Sequence, residues 1–331
     1  MKKFLKLFLI ICIVVSFVLF LKGTDIGESV RLIRKLDSGI FYIFLVTFTA
    51  YCFGGLALKY CIDADEKPKF PKLFAIKHVG NIISVFNPSG AIAGELFSAN
   101  VLISNGVSKQ VAYKSVLLSR IMMILAQLAL LLFVLIWYLF SLSDELPPVL
   151  AYIFYGCFAV FFVVVVFILW FLLKPGSENI LIHKEEKKWH KIIFQFRELR
   201  SSLAEYIHRR PKDALKAYIF YTIHWLFTSL ELFIILRFLG YHVTVFDSLF
   251  LDTVIVVSKS AVAFIPGQFG AEELINKFAL ALVRIGGNNL WLSVSILRRV
   301  RQLFWSMVAF VLYWILKRQV KNPEVNLIEE K

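Results

Sequence analysis

Apolar stretches long enough to cross a bilayer recur along the whole chain, and this constrains the fold more than any other feature. In hydrocarbon every backbone N–H and C=O must find its partner inside the segment or in a closed barrel. The stretches lack the alternation of period two that a barrel wall needs, so helices remain. The expected fold class is an all-α polytopic membrane protein with about six full crossings, at about 7–21, 40–61, 115–140, 149–173, 215–239 and 296–316. An apolar share of 59% agrees with this and with a single integral membrane domain over 1–331. The start, "MKKFLKLFLIICIVVSFVLFLKG", resembles a signal peptide but has no small-x-small cleavage site before Lys22. It is expected to be a retained first helix.

Two further apolar regions, about 73–104 and 245–284, are each broken midway by a turn signal, "NPSG" at 87–90 and "IPGQ" at 265–268. Proline has no N–H to donate and glycine weakens a helix interior. Each region therefore reads as two short helices joined at a tip, a re-entrant or tight spanning hairpin.

The net charge of +14 is carried largely by the connections, where the positive-inside rule accounts for it. The loop "SLSDELPP" at 141–148 has no Lys or Arg and is placed outside, whereas the basic connection 174–214 is placed inside. Lys67, Lys69, Lys72, Lys77, Lys109 and Lys114 then fall inside, with both termini. The loop 22–39, with Lys22, Arg31, Arg34 and Lys35, lands outside against the rule, softened by Asp25, Glu28 and Asp37. Residues 187–207 alternate apolar and basic side chains at helical spacing, as a surface helix on anionic lipid or a helical linker packed on its own bundle would. No basic domain or groove for nucleic acid is visible. Cys12, Cys52, Cys61 and Cys157 lie in or beside apolar segments at no metal or disulfide spacing, and no cofactor or metal is expected.

The two broken regions are copies of one another. Moving 79–120 forward by 178 positions onto 257–298 brings ten of 42 residues onto identical ones, among them Phe86, Pro88, Glu95, Leu102 and Arg120 onto Phe264, Pro266, Glu273, Leu280 and Arg298. Chance in so biased a composition gives roughly one in ten. The first copy, hairpin plus following helix, covers about 73–140 and the second about 245–316. Three full crossings separate the hairpins, and an odd number turns the second copy over. Inverted repeats of this kind build many secondary transporters, with the substrate site at the midplane where broken helices meet.

An ionised carboxylate at the bilayer centre costs about 2.5–3.5 kcal/mol on translocon scales. The acids and bases at repeat-related positions are therefore the candidate site: Pro88, Gly94, Glu95 and Arg120 in the first copy, and Pro266, Gly267, Gly270, Glu272, Glu273, Arg298 and Arg301 in the second. A helix starting at each proline tip offers free N–H groups to an anion, and Arg120, Arg298, Arg299 and Arg301 offer forked donors suited to phosphate. The alternative is that Glu95–Arg120 and Glu273–Arg298 are ion pairs that only lock helices together. For Gly267 and Gly270 alone a plain turn or close packing is the better reading. Lys259 reads as snorkelling or paired with an acid, and His224 as a hydrogen-bonded bundle residue before a proton relay.

At these residues the chain resembles the transmembrane region of lysylphosphatidylglycerol synthases and the stand-alone flippase-like membrane proteins related to it. "PGQFGAEE" at 266–273 is similar to the family's Pro-Gly-x-x-Gly-x-x-Glu, and Arg298 follows in the last helix. "GEL" at 94–96, "NGVS" at 105–108 and "SVLLSR" at 115–120 extend the likeness to the first half. "LSVSILRRVRQLFW" at 292–305 also resembles members associated with hopanoid lipid pathways. The resemblance implies a multi-pass protein of the cytoplasmic membrane that moves an anionic phospholipid or polyprenyl-linked lipid between leaflets. Ser98 and Gln268 depart from the residues common there, a basic one and a glycine. The aminoacyl-transfer domain of the full-length synthases is not expected after Lys321, nor is aminoacylation.

Membrane lipids are thus the expected partners, with lipid-synthesis enzymes as a second class, and no catalytic residue is assigned. No Gly-x4-Gly-Lys-Ser/Thr loop points to ATP hydrolysis. A membrane-embedded transferase acting on a lipid carrier is the alternative, with Asp63 and Asp65 its only candidate acids. A non-transporting scaffold for lipid synthesis is a third.

Overall fold

The computed structural model describes residues 31, 34, 36, 38–64, 66–86, 91–141, 148–173, 200–201, 203–262, 268, 271–282, 285 and 290–320. Among them no strand occurs. The elements are α1 (Gly39–Cys61), α2 (Phe70–Phe86), α3 (Ala91–Ile103), α4 (Lys109–Ser141), α5 (Pro148–Leu173), α6 (Pro211–Phe238), α7 (Val245–Ala261), α8 (Ala271–Leu282) and α9 (Leu290–Val320). Within α1, α4, α6 and α9, stretches of 23–32 residues are long and apolar enough to cross a membrane. Helix α5 is apolar all round, with Tyr152, Phe162, Val163, Phe167 and Trp170 turned outward, as a helix bathed in lipid is. The chain is an all-helical, multi-pass membrane protein. The expected crossing at 7–21 lies outside the described residues, as does most of 187–207, whose end is helical over 203–209.

Local chemistry sets the ends of these elements. Pro148 and Pro211 open α5 and α6, where a missing N–H costs nothing. Thr244 and Asp247 form a reciprocal capping box at the start of α7. After α6, Gly240 has φ +93°, and Tyr241 N–H returns to the Leu236 carbonyl at 3.0 Å, closing a Schellman turn.

The repeat seen in the sequence is also present in the helices. Helices α2 and α7 have 17 residues each, α3 and α8 have 13 and 12, and α4 and α9 have 33 and 31. One backbone hydrogen bond after α3 and α8 falls in the same register. Val107 N–H bonds the Leu102 carbonyl, and 178 positions on Ile285 N–H bonds the Leu280 carbonyl, both at 3.2 Å. The packing is reciprocal: α2 rests on α9 of the other copy, and α7 rests on α4. Helices α1 and α6 join the scheme, since α1 packs on α2 as α6 packs on α7, and they pair with each other most extensively of all. One core surrounds Leu58, Leu73, Ile76, Leu102 and Val116, and closes against Ala309 and Leu316 of α9. The other surrounds Leu232, Leu251, Leu280 and Val294, and closes against Leu36 and Ile43. Both turn signals, 87–90 and most of 265–268, lie outside the described residues, so the path of the chain through each tip is not described.

Candidate functional site

In the first copy, α2 and α3 approach through glycine. A Cβ on Gly80 would stand 3.1 Å from the Gly94 carbonyl oxygen. This closeness leaves a small polar cleft of about 10 Å3, room for about one water, lined by Lys77, Asn81, Ser84, Glu95, Ser119 and Arg120 among others. Arg120 Nε lies 3.5 Å from Glu95 Oε1, both partly exposed. Lys77 Nζ reaches Ser119 Oγ at 3.4 Å and sits over the Tyr221 ring, 5.3 Å from its centroid. Two cations therefore share one carboxylate, and the cleft carries a net charge of +1 from its described lining.

The second copy is organised differently. Four acids and four bases meet where α6, α7, α8 and α9 converge. Glu272 is bonded by Lys259 at 3.0 Å and by Arg299 at 3.1 Å, and Glu273 by Arg299 at 3.4 Å. Arg298 pairs with Asp252, and Arg301 Nε stands 2.9 Å from Glu231. Glu231 and Asp252 are 0% and 1% exposed. Among the described residues charge is balanced here, four against four, and these arginines are paired with the site's own acids. The repeat register shows why the two copies differ. Asn81 and Gly94 line the first cleft, and 178 positions on stand Lys259 and Glu272, whose ion pair joins α7 to α8.

Glu272, Glu273, Arg298 and Arg301 thus fall in one network, and Gly94, Glu95 and Arg120 in the other. Pro88, Pro266, Gly267 and Gly270 lie outside the described residues. The expected Glu95–Arg120 pair is present, but Glu273–Arg298 is not. Consecutive residues point about 100° apart on a helix, so Arg298 turns to α6 and α7 while Arg299 faces the glutamates of α8. In the first copy Ile121 occupies the Arg299 position, which leaves Glu95 to Arg120. Gly94 serves close packing as well as the cleft. Lys77, expected on the inner side at the start of the apolar region 73–104, lies on α2 against the cleft. Asp63 is held by Arg209 and by Arg210 at 3.2 Å, and Asp65 is outside the described residues. Glu231 and Asp252 were missed. The signal was available, since a lone acid inside an apolar helix is a functional or paired residue by default.

Gln268 has φ +54°, a left-handed conformation in which a side chain costs roughly 1–2 kcal/mol. Its Nε2 donates to the Lys259 carbonyl at 3.1 Å, and its own carbonyl accepts from Arg299 at 3.3 Å. The repeat-related residue is Gly90. Gln268→Gly relieves the strain and loses one bond, so thermal unfolding should shift by no more than about 1 kcal/mol. Gln268→Ala keeps the strain and loses the bond, and should cost about 1–2 kcal/mol.

No curated protein and no solved structure matches the chain. Residues 4–315 match the family described as the lysylphosphatidylglycerol synthase TM region, a span that takes in α1–α8, all of α9 but its last five residues, and both charged clusters. The chain belongs to the lysylphosphatidylglycerol synthase transmembrane-region family.

Proposed function

We propose that the protein moves an anionic phospholipid or polyprenyl-linked lipid between leaflets of the cytoplasmic membrane, and that the first-repeat cleft receives the head group. The observation that carries this reading is the unbalanced charge. Lys77 and Arg120 face Glu95 alone, beside the hydroxyls of Ser84, Ser98 and Ser119, whereas the second network neutralises itself. A phosphate would supply the missing negative charge and accept from both cations. The cleft as it stands is too small for a head group, so α3 must separate from α4 for entry. The reciprocal packing of the two copies supports such a movement. With α4, α5 and α6 crossing between the hairpins, the copies are inverted, and rocking one against the other exposes the cleft alternately. Neither copy is assigned chemistry, and the protein is read as a translocator that is not an enzyme.

The test is transfer of labelled phosphatidylglycerol between leaflets in vesicles holding the purified protein. Lys77→Gln and Arg120→Gln should each lower the rate about ten-fold, the equivalent of losing about 1.4 kcal/mol of head-group contact. Lys109→Gln, on the exposed start of α4, should leave it unchanged. Transfer at the parental rate in both cleft variants removes the cleft from the mechanism. Turnover of a lipid carrier by the purified protein would favour the transferase alternative.

A further inference from the structure

Between the cleft and the second network runs a line of buried titratable groups that neither cluster uses. Ser119 and the Tyr221 hydroxyl are hydrogen-bonded, and the Tyr221 and His224 rings stand 6.5 Å apart, edge to face. Tyr51 on α1 lies 6.5 Å from the His224 ring and 4.6 Å from the His78 ring. Its hydroxyl lies against Arg301, which pairs with Glu231. On α6, residues 221, 224 and 231 are separated by three and ten positions, roughly 300° and 280° of turn, so all three share a face. They climb roughly 15 Å, half of a hydrocarbon core of about 30 Å. The line ends in partly exposed groups on both sides, Glu95 and Arg120 at one end and Arg301 at the other.

The hydrogen bonds fix both tautomers. His224 Nδ1 is 2.7 Å from the Ala50 carbonyl, and His78 Nε2 is 3.0 Å from the Trp305 carbonyl. A carbonyl only accepts, so each of those nitrogens carries the proton and the other nitrogen of each ring is a bare acceptor. Among the described residues His78 Nδ1 is buried with no hydrogen-bond partner. Most buried side-chain polar atoms have a hydrogen-bond partner, so this bare nitrogen calls for an explanation. Glu231 is similar: it is attracted by Arg301 and Arg298, yet neither of its oxygens accepts an aligned hydrogen bond. Arg301 can only donate, so the Tyr51 oxygen accepts from that side and its own proton is free to pass on.

We propose that His224, Tyr51 and His78 pass protons between the first-repeat cleft and Glu231, and that lipid movement is coupled to a proton gradient through them. The proposal rests on the translocation reading for what is coupled; the proton path itself does not. Each hop moves one proton and no electrons. A bare imidazole nitrogen takes the proton, the ring becomes a cation while keeping its original N–H, and release restores the neutral ring. Tyr51 gives its hydroxyl proton forward as it takes another from the imidazolium behind it, so the phenol is restored; at the far end the Glu231 carboxylate, reached from Tyr51 through one bridging water, becomes a neutral acid and regains its charge when the proton leaves. Ring rotation or one bridging water spans the ring-to-ring separations. Along the line, Lys77 on α2 and Asp252 on α7 face His224, and Asp252, Glu272 on α8, and Arg298 and Arg301 on α9 face Glu231; Glu95 on α3, Arg120 on α4 and Cys61 on α1 surround Lys77.

The test uses the full chain in vesicles of phosphatidylethanolamine and phosphatidylglycerol loaded with the pH dye pyranine, under an inside-negative potassium diffusion potential. Proton entry should exceed that of protein-free vesicles. His78→Gln places an amide donor near the Nε2 position and His224→Asn near the Nδ1 position, so the bonds to Trp305 and Ala50 persist while the titrating nitrogen is lost. Each variant, unfolding at the parental temperature, should lower proton entry at least five-fold and abolish the response of labelled-lipid transfer to an imposed pH gradient. Entry no faster than in empty vesicles, or parental entry in both variants, overturns the proposal, as does parental lipid transfer that ignores the gradient. Histidine-dependent proton entry without any lipid transfer upholds the path and overturns the translocation reading instead.

Discussion

Arg298→Ala should destabilise the protein by about 3–5 kcal/mol in detergent, read as a large fall in the thermal unfolding midpoint. Arg298 is 3% exposed and pairs with Asp252, itself 1% exposed, with Glu231 at 4.0 Å on the other side. Its removal leaves Asp252 with only the Ser229 hydroxyl at 3.1 Å, and an unpaired carboxylate in a low-dielectric interior is more costly than the pair was favourable. The ordering among arginines discriminates this account from a general loss of charge. Arg301→Ala should cost less, because Glu231 keeps Arg298 and the arginine is partly exposed. Arg209→Ala should cost no more than about 1 kcal/mol, since that pair is exposed and Asp63 keeps Arg210. The double variant Arg298→Met with Asp252→Leu should recover most of the loss, because a pair removed whole leaves no orphan. Equal loss in the single and the double variant would mean that Arg298 acts through packing.

Much of this architecture is legible in the sequence because lipid leaves the backbone few options. The apolar lengths give the helices, and the ten shared residues give the repeat down to the shared backbone bond at Leu102 and Leu280. The partners of the charges are less legible. Glu95 and Arg120 pair as their 25-residue spacing suggests, yet the same spacing in the second copy does not pair Glu273 with Arg298. A neighbouring arginine intervenes, and the acids that claim Arg298 come from α6 and α7, whose placement no local pattern encodes. Lys77 shows the same limit: the apolar region 73–104 gives it a helix, but its place in the cleft depends on α3 and α4 closing against α2. The exchange of Asn81 and Gly94 for Lys259 and Glu272 was present in the alignment all along. Its consequence, one copy open and one filled by its own ion pair, needed the third dimension.

Gly94→Val should separate α2 from α3 and abolish the cleft, with a loss of about 3 kcal/mol or more in unfolding free energy, at or beyond the upper range of overpacking. A Cβ at residue 94 is aimed at the backbone carbonyl of Gly80, closer than any van der Waals contact allows, and it would also meet the Ser84 hydroxyl. A carbonyl oxygen in a helix cannot rotate away without breaking the ladder behind it. Gly80→Ala makes the reciprocal test milder, because its nearest obstacle is the Ser98 hydroxyl, the end of a side chain that can turn. The order Gly94→Val worst, Gly94→Ala next and Gly80→Ala least is therefore expected in thermal unfolding. Head-group function should follow the same order, since Lys77 and Asn81 reach the cleft from α2 while Glu95 reaches it from α3. A shift of α3 by the width of one methyl misaligns them. Insertion of Ala at both positions with unchanged unfolding and unchanged lipid transfer would show that the two arms do not pack through these glycines, and with them would fall the assignment of the cleft as the receiving site.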